Sequence, residues 1–167
     1  MKEIFSRRSV RRYLDKPVED EKIKKILRAA MYAPSAGNEQ PWHFVIVKDK
    51  KKLHEITSFH PYTQMLKEAP LGIVVCGDTS NLKHDGDFWI QDMSASIQNM
   101  LLQAEALGIG TCWCGLYPKE QFIERISKLV NLPQHIIPVA IVAVGYPAEK
   151  REVGERYKPE RVHYENW

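Results

Sequence analysis

Residues 138–144, Pro-Val-Ala-Ile-Val-Ala-Val, constrain the fold more than any other stretch of this chain. No side chain in the run is polar, and Gly145-Tyr146-Pro147 closes it. Such a run reads as a strand covered on both faces, central in its sheet. A central strand needs neighbours. Three other short apolar runs supply them: Phe44–Val47, Leu71–Cys76 and Ile109–Cys114.

Helical spacing fills the intervals. Ile23, Ile26, Leu27, Ala30 and Met31 predict a helix over roughly Glu19 to Met31. Glu19, Asp20 and Glu21 suit its first turn, where the helix dipole favours anions, and Pro34 ends it. Lys50–Thr57 is a shorter helix with Leu53 and Ile56 inward, and Tyr62–Glu68 is another. The longest runs from about Asp87 to Leu107, stopped by Gly108. Its stripe of Trp89, Met93, Ile97, Met100, Leu101 and Ala104 reads as core rather than as a cofactor box. Pro118 begins a helix carrying Phe122, Ile126 and Leu129, and residues 4–13 read as a short amphipathic helix or turn. The 167 residues suit one domain, 1–167, burying about 70% of the unfolded surface. No repeat or linker interrupts them.

Composition excludes some classes. No apolar run approaches the roughly 20 residues that cross a bilayer, and the N-terminus lacks the apolar core of a signal peptide, so the chain is expected in the cytoplasm without membrane attachment. Cys76, Cys112 and Cys114 are too few for a disulfide framework. Cys112-Trp113-Cys114 lacks the two-residue spacer of a redox or zinc pair and reads as two buried free thiols on one strand face.

A net charge of +3 is too mild to imply nucleic acid, but the basic residues cluster. Arg7, Arg8, Arg11 and Arg12 crowd the N-terminus; Lys150, Arg151, Arg156, Lys158 and Arg161 crowd the tail. If residues 7–12 are helical, Arg7 and Arg11 share a face, as do Arg8 and Arg12, and no acid relieves them. A phosphate would, through charge-assisted arginine forks with Ser9 adding a hydroxyl. A solvated basic face or a nucleic-acid patch accounts for the same residues taken alone. Residues 148–167 hold too little apolar surface for a core of their own, so the tail is frayed or laid on something else. Val162-His163-Tyr164 is a candidate edge strand for a partner subunit.

The connector from Pro34 to Phe44 is over-furnished for its length. Two prolines, a glycine, a serine, Asn38, Gln40 and Trp42 separate a helix from a strand. Side-chain amides donate and accept together, which suits the edge of a heterocycle, so a ligand loop is the better reading than ornament. Other motifs fail. His54 and His60 stand six apart and share no helix face, so no zinc helix forms. Gly108-Ile109-Gly110 lacks the third dinucleotide-binding glycine, and Ser35 lacks the context of a hydrolase nucleophile. What remains is a phosphate-bearing heterocycle that carries the chemistry itself.

Four segments in order, Arg7-Arg8-Ser9-Val10-Arg11, Pro34–Phe44, Ala104–Trp113 and Val144-Gly145-Tyr146-Pro147, resemble the FMN-dependent nitroreductase family over essentially the whole chain. The resemblance implies an α+β homodimer. A mostly antiparallel central sheet is wrapped by helices, the C-terminal segment is exchanged with the partner, and two FMN molecules lie at the interface. It implies that Arg7 and Ser9 hold the phosphate with Arg8 alongside, and that Arg11 lies near the flavin pyrimidine edge. Asn38 and Gln40 would lie near the ring, with Pro34, Ser35 and Ala36 reaching from the other subunit. Cys114, Gly115 and Leu116 would give backbone contacts near N5, and Arg156, with Lys158, would reach the phosphate. The implied reaction is ping-pong reduction of nitroaromatics, quinones or related acceptors by NAD(P)H, with no catalytic side chain and no metal. Other readings stay open at this stage: a flavin carrier or sensor, the same fold applied to dehalogenation, flavin reduction or flavin fragmentation, or a nucleic-acid-binding domain. Tyr32, His43 and Trp113 are expected mainly in core packing.

Overall fold

The apolar runs become one four-stranded antiparallel sheet. In the computed structural model, which describes residues 2–83, 86, 88–149 and 152–167, β1 (Trp42–Val47), β2 (Leu71–Asp78), β3 (Gly110–Gly115) and β4 (Ile136–Gly145) take the order β1-β2-β4-β3. The all-apolar strand is central, as its composition demands. β4 also starts two residues earlier than Pro138, because a bulge accommodates the proline. Val75 pairs with Ala140 and Cys76 with Pro138, leaving Val139 as the extra residue.

Side-chain alternation gives the sheet two apolar faces. Leu71, Ile73, Val75, Ala140, Val142 and Val144 face one layer; Val74, Cys76, Ile141 and Ala143 face the other. α2 (Asp20–Met31) and α4 (Trp89–Ala106) cover the first face with Ile23, Ile26, Met93, Ile97 and Met100. Each such side chain, fully removed from water, contributes about 1.5–3 kcal/mol. α3 (Lys50–Phe59), a 3₁₀ segment (Pro61–Lys67) and α5 (Glu120–Val130) cover the second with Leu53, Ile56, Leu66 and Ile126. The long apolar stripe is core, as its spacing predicts, and Gly108 ends α4 at φ +70°. Asp87, the expected start of that helix, lies outside the described residues, as do Lys150 and Arg151. α5 begins at Glu120, two residues after Pro118.

The N-terminal reading needs correction. α1 is only Glu3–Ser6, and the arginine segment beyond it is extended. Ser9 bridges Thr111 in parallel, Tyr13 bridges Pro147, and Val10 N–H donates to Thr111 O at 2.9 Å. The free edge of β3 competes with a lone helical turn and wins, because it pairs backbone groups and buries Val10. Gly110 permits the approach: a Cβ there would stand 2.8–3.0 Å from three Val10 carbons. Helical like-charge crowding therefore does not describe Arg7–Arg12.

Residues 152–167 are exposed throughout, with a 3₁₀ turn at Pro159–Arg161, and Val162–Tyr164 pairs with no strand among the described residues. Among the described residues, no helix is long and apolar enough to cross a membrane.

Candidate functional site

The edge of β3 is where chemistry collects. Leu116 N–H donates to Val139 O at 2.9 Å, which sets the alternation of the β3–β4 ladder. In an antiparallel pair every second residue turns both peptide groups away from its partner. On β3 these are Thr111, Trp113 and Gly115. Thr111 O is taken by Val10, and Gly115 O by His60 Nε2 at 2.8 Å. The Trp113 peptide groups and Gly115 N–H face outward onto a cavity of about 850 Å³. Arg11, Arg12, His60, Tyr62, Tyr117 and Phe122 are among the residues that line it.

The arginines differ in their commitments. Arg12 Nε lies 3.0 Å from both Glu68 oxygens. Tyr13 N–H and Arg12 together hold the Glu68 carboxyl below the usual carboxylate range. Arg8 donates to Phe5 O at 2.8 Å, Arg7 O at 2.7 Å and Glu152 O at 3.1 Å, so its guanidinium closes chain against chain. Arg7 Nε is buried with no partner among the described residues, and Ser9 sits beside it on the β3 edge. Arg11 points to the cavity and forms no ion pair among the described residues. Two cations, Arg7 and Arg11, are thus left to meet an anion, one on each side of Ser9.

Behind the cavity lie the thiols. Cys112 and Cys114 are buried and unbridged, on the same face of β3 as expected. Cys114 Sγ donates to Tyr62 O at 3.3 Å; its neighbour Cys112 and burial push its pKa well above that of a free thiol, making it a weaker acid. The Cys114 thiol is not primed as a nucleophile. Leu116 contributes a fully buried side chain, and its N–H is already committed to Val139.

The Pro34–Pro41 loop is a second, separate construction. Gly37, Asn38 and Gln40 adopt φ of 57°, 55° and 53°, a left-handed backbone costing L-residues about 1–2 kcal/mol each. Helix α4 supplies the restraint: buried Asp92 accepts Ala36 N–H at 2.9 Å through Oδ1. Ser35 Oγ accepts Gln40 N–H at 3.0 Å, and Lys83 N–H donates to Glu39. Gln40 Nε2 donates to Asn38 Oδ1 at 3.0 Å, so the two amides stand together, exposed.

These two constructions do not meet within one chain. The loop opens β1 at one sheet edge; Ser9 lies on β3 at the other. Thr111 is level with Val144 and Leu71, beyond the Val47 end of β1, whereas Gln40 adjoins the Trp42 end. Strand spacings then separate Ser9 from the Trp42 end of β1, which Gln40 adjoins, by about 19 Å across the sheet and about 20 Å along it. Arg156 and Lys158 lie on the exposed tail, outside the cavity lining. Tyr32, His43 and Trp113 are all exposed, contrary to the core role expected for them, and Trp113 lines the cavity. His60, Tyr62, Tyr117, Phe122 and the Asp92 anchor were not legible as site residues, since no local motif ties them to the β3 edge or to the loop.

The fold and the sequence of this chain also match proteins already known. The nitroreductase family model matches residues 4–59 and 57–146, and the chain belongs to that family. An Archaeoglobus fulgidus protein, provisionally named NADH dehydrogenase/NAD(P)H nitroreductase, is 44% identical across 100% of this chain and 98% of its own. A similarly named Bacteroides thetaiotaomicron structure superposes at a TM-score of 0.94, with 42% identity over 99% of this chain and 96% of that one. The FMN-dependent nitroreductase of Clostridium difficile superposes at 0.90, with 32% identity over 99% and 98%.

Proposed function

We propose that this chain is an FMN-dependent oxidoreductase that uses NAD(P)H to reduce small acceptors such as nitroaromatics or quinones, in the cytoplasm and as a homodimer. The observation that carries the reading is the outward-facing edge of β3 beside Arg11. It offers a flat ring backbone donors on one edge and a cation at one end. The donor set fits the cofactor: a buried, partnerless Arg7 Nε and the Ser9 hydroxyl suit a phosphate, which takes arginine hydrogen bonds well. When bound, FMN supplies the redox chemistry, taking a hydride equivalent from NAD(P)H and passing the electrons on to the acceptor.

The protein's part is binding and orientation. Arg7 and Ser9 fix the phosphate, Arg11 stabilises negative charge at the pyrimidine edge, and Gly115 N–H with the Trp113 peptide meets the ring. Arg8 acts indirectly by closing the N-terminal segment onto Glu152 O. Asn38 and Gln40 reach a ring held by the partner, with Pro34, Ser35 and Ala36 behind them. Arg156 and Lys158 belong to a tail that finds its surface on that partner. The outer edge of β1 supports this arrangement, because among the described residues it has no neighbouring strand, and it borders an apolar groove formed by Ile23, Leu27, Met31 and Ile46. The nucleic-acid reading is weakened, because Arg8 and Arg12 are tied to protein partners.

The test is spectroscopic. Protein refolded with FMN should hold about one flavin per chain and bleach on anaerobic addition of NADH or NADPH. Colourless protein overturns the cofactor, and a flavin that stays yellow leaves a carrier rather than a reductase.

A further inference from the structure

We propose that His60 is a positioning residue for the β3 edge that receives the flavin. Resting on the function proposed above, the inference concerns which backbone groups that edge presents. His60 is 2% exposed and sits where α3 gives way to the 3₁₀ segment. Its Nε2 lies 2.8 Å from Gly115 O, and its Nδ1 lies 3.3 Å from Tyr62 N. A carbonyl only accepts, and a backbone N–H only donates. The ring is therefore the neutral tautomer that carries its proton on Nε2, and both nitrogens are used.

The ring cannot easily turn away from this duty. It stacks on Phe122 at 4.2 Å between centroids, 23° from parallel. Its own backbone is pinned as well: His60 N–H donates to Ile56 O at 3.0 Å, and His60 O accepts the Thr63 hydroxyl at 2.7 Å. The peptide it grips is fixed at its other end, since the same peptide unit's N–H, that of Leu116, donates to Val139 O.

The consequence is electrostatic. Unclaimed, Gly115 O would be a second outward-facing carbonyl on the cavity side of β3, beside that of Trp113. An acceptor there opposes added electron density on a bound ring, whereas a donor favours it. By claiming that oxygen, His60 leaves Gly115 N–H as the group its residue offers. Sequence gave no sign of this, because the histidine lies between two helical segments and far from β3 in the chain.

The test compares FMN-loaded wild type with His60→Leu and His60→Gln. His60→Leu should move the midpoint potential of the bound flavin to more negative values, shift its visible absorption bands, and slow reduction by NAD(P)H about tenfold, the effect of one hydrogen bond. FMN affinity should change less than about fivefold, because the phosphate contacts lie elsewhere. The glutamine amide reaches toward the same carbonyl and should recover most of the potential. An unchanged potential and spectrum in folded His60→Leu overturns the proposal, as does a loss that His60→Gln does not recover. If neither variant folds, nitrogen NMR of flavin-free wild type decides: a neutral imidazole protonated on Nε2 supports it, and any other state overturns it. Wild type that binds no FMN would sink the proposed function instead, and the NMR result stands apart from that.

Discussion

The two halves of the site are built in opposite ways. The arginine half is sheet-like: an extended segment laid on β3, held by backbone pairing and by Val10 pressed onto Gly110. The amide half is a loop in a left-handed backbone, held from beneath by Asp92 and Ser35. One half tolerates no extra volume; the other holds an unfavourable conformation. They also lie on opposite edges of one sheet, so a ligand that touches both must draw on two chains. Rigid geometry suits the phosphate, which needs fixed charges, and a propped loop suits a ring edge, which needs aimed amides.

The largest effect expected from this contrast is complementation. Arg7→Ala damages one half and Asn38→Ala/Gln40→Ala the other, so each pure homodimer is defective at both sites. Unfolded together and refolded, half of the dimers are mixed and carry one unaltered site, so about a quarter of wild-type NAD(P)H oxidation should return. A mixture no better than the average of its parents would place both halves in one chain's site. Gly110→Val strikes the sheet-like half alone. Its side chain meets Val10, and the overpacking should cost up to about 3 kcal/mol in urea denaturation and abolish FMN retention.

Gln40→Gly should act in the opposite sense on the loop half. Relief of the left-handed backbone is worth about 1–2 kcal/mol and the glycine entropy costs about 0.5–1, so stability should rise by about 0.5 kcal/mol while FMN affinity falls. A drop in stability would mean that the Gln40–Asn38 hydrogen bond outweighs the strain. The smallest effect is acid dependence at the arginine half. The Glu68 carboxyl is depressed by Tyr13 N–H and Arg12. Its contribution to stability is therefore present above the ordinary carboxylate range and lost as pH falls through its lower folded value. Melting temperatures of Glu68→Gln and wild type should accordingly differ at neutral pH and converge in acid; parallel curves would remove Glu68 as a support of the segment.

Where structure follows side-chain period, the sequence was legible. All four strands, the core stripe of α4, the central place of β4 and the buried thiols follow from apolar spacing. The unusual build of Pro34–Phe44 was legible too, because its prolines, glycine and amides exceed what a helix-to-strand connector needs, and its backbone is left-handed at Gly37, Asn38 and Gln40. What stayed hidden depends on long-range competition. The Arg7–Arg12 segment is extended because β3 has a free edge, and no local pattern reports that edge. His60 and Asp92 act through bonds to residues 55 and 56 positions away. Trp113 sits on an edge strand that, among the described residues, has no outer strand partner beyond Thr111, so an aromatic expected in the core lines a cavity.

The opposite-edge placement has a consequence for dilution. A ligand gripped by two chains at once ties its own affinity to their association, so flavin held in the proposed way would raise the apparent affinity of the two subunits for each other by mass action. Diluted protein would then lose colour and partner in one concerted step, and specific activity would fall with concentration until free FMN is added back. The cofactor would serve as the clasp of the assembly as well as its reagent.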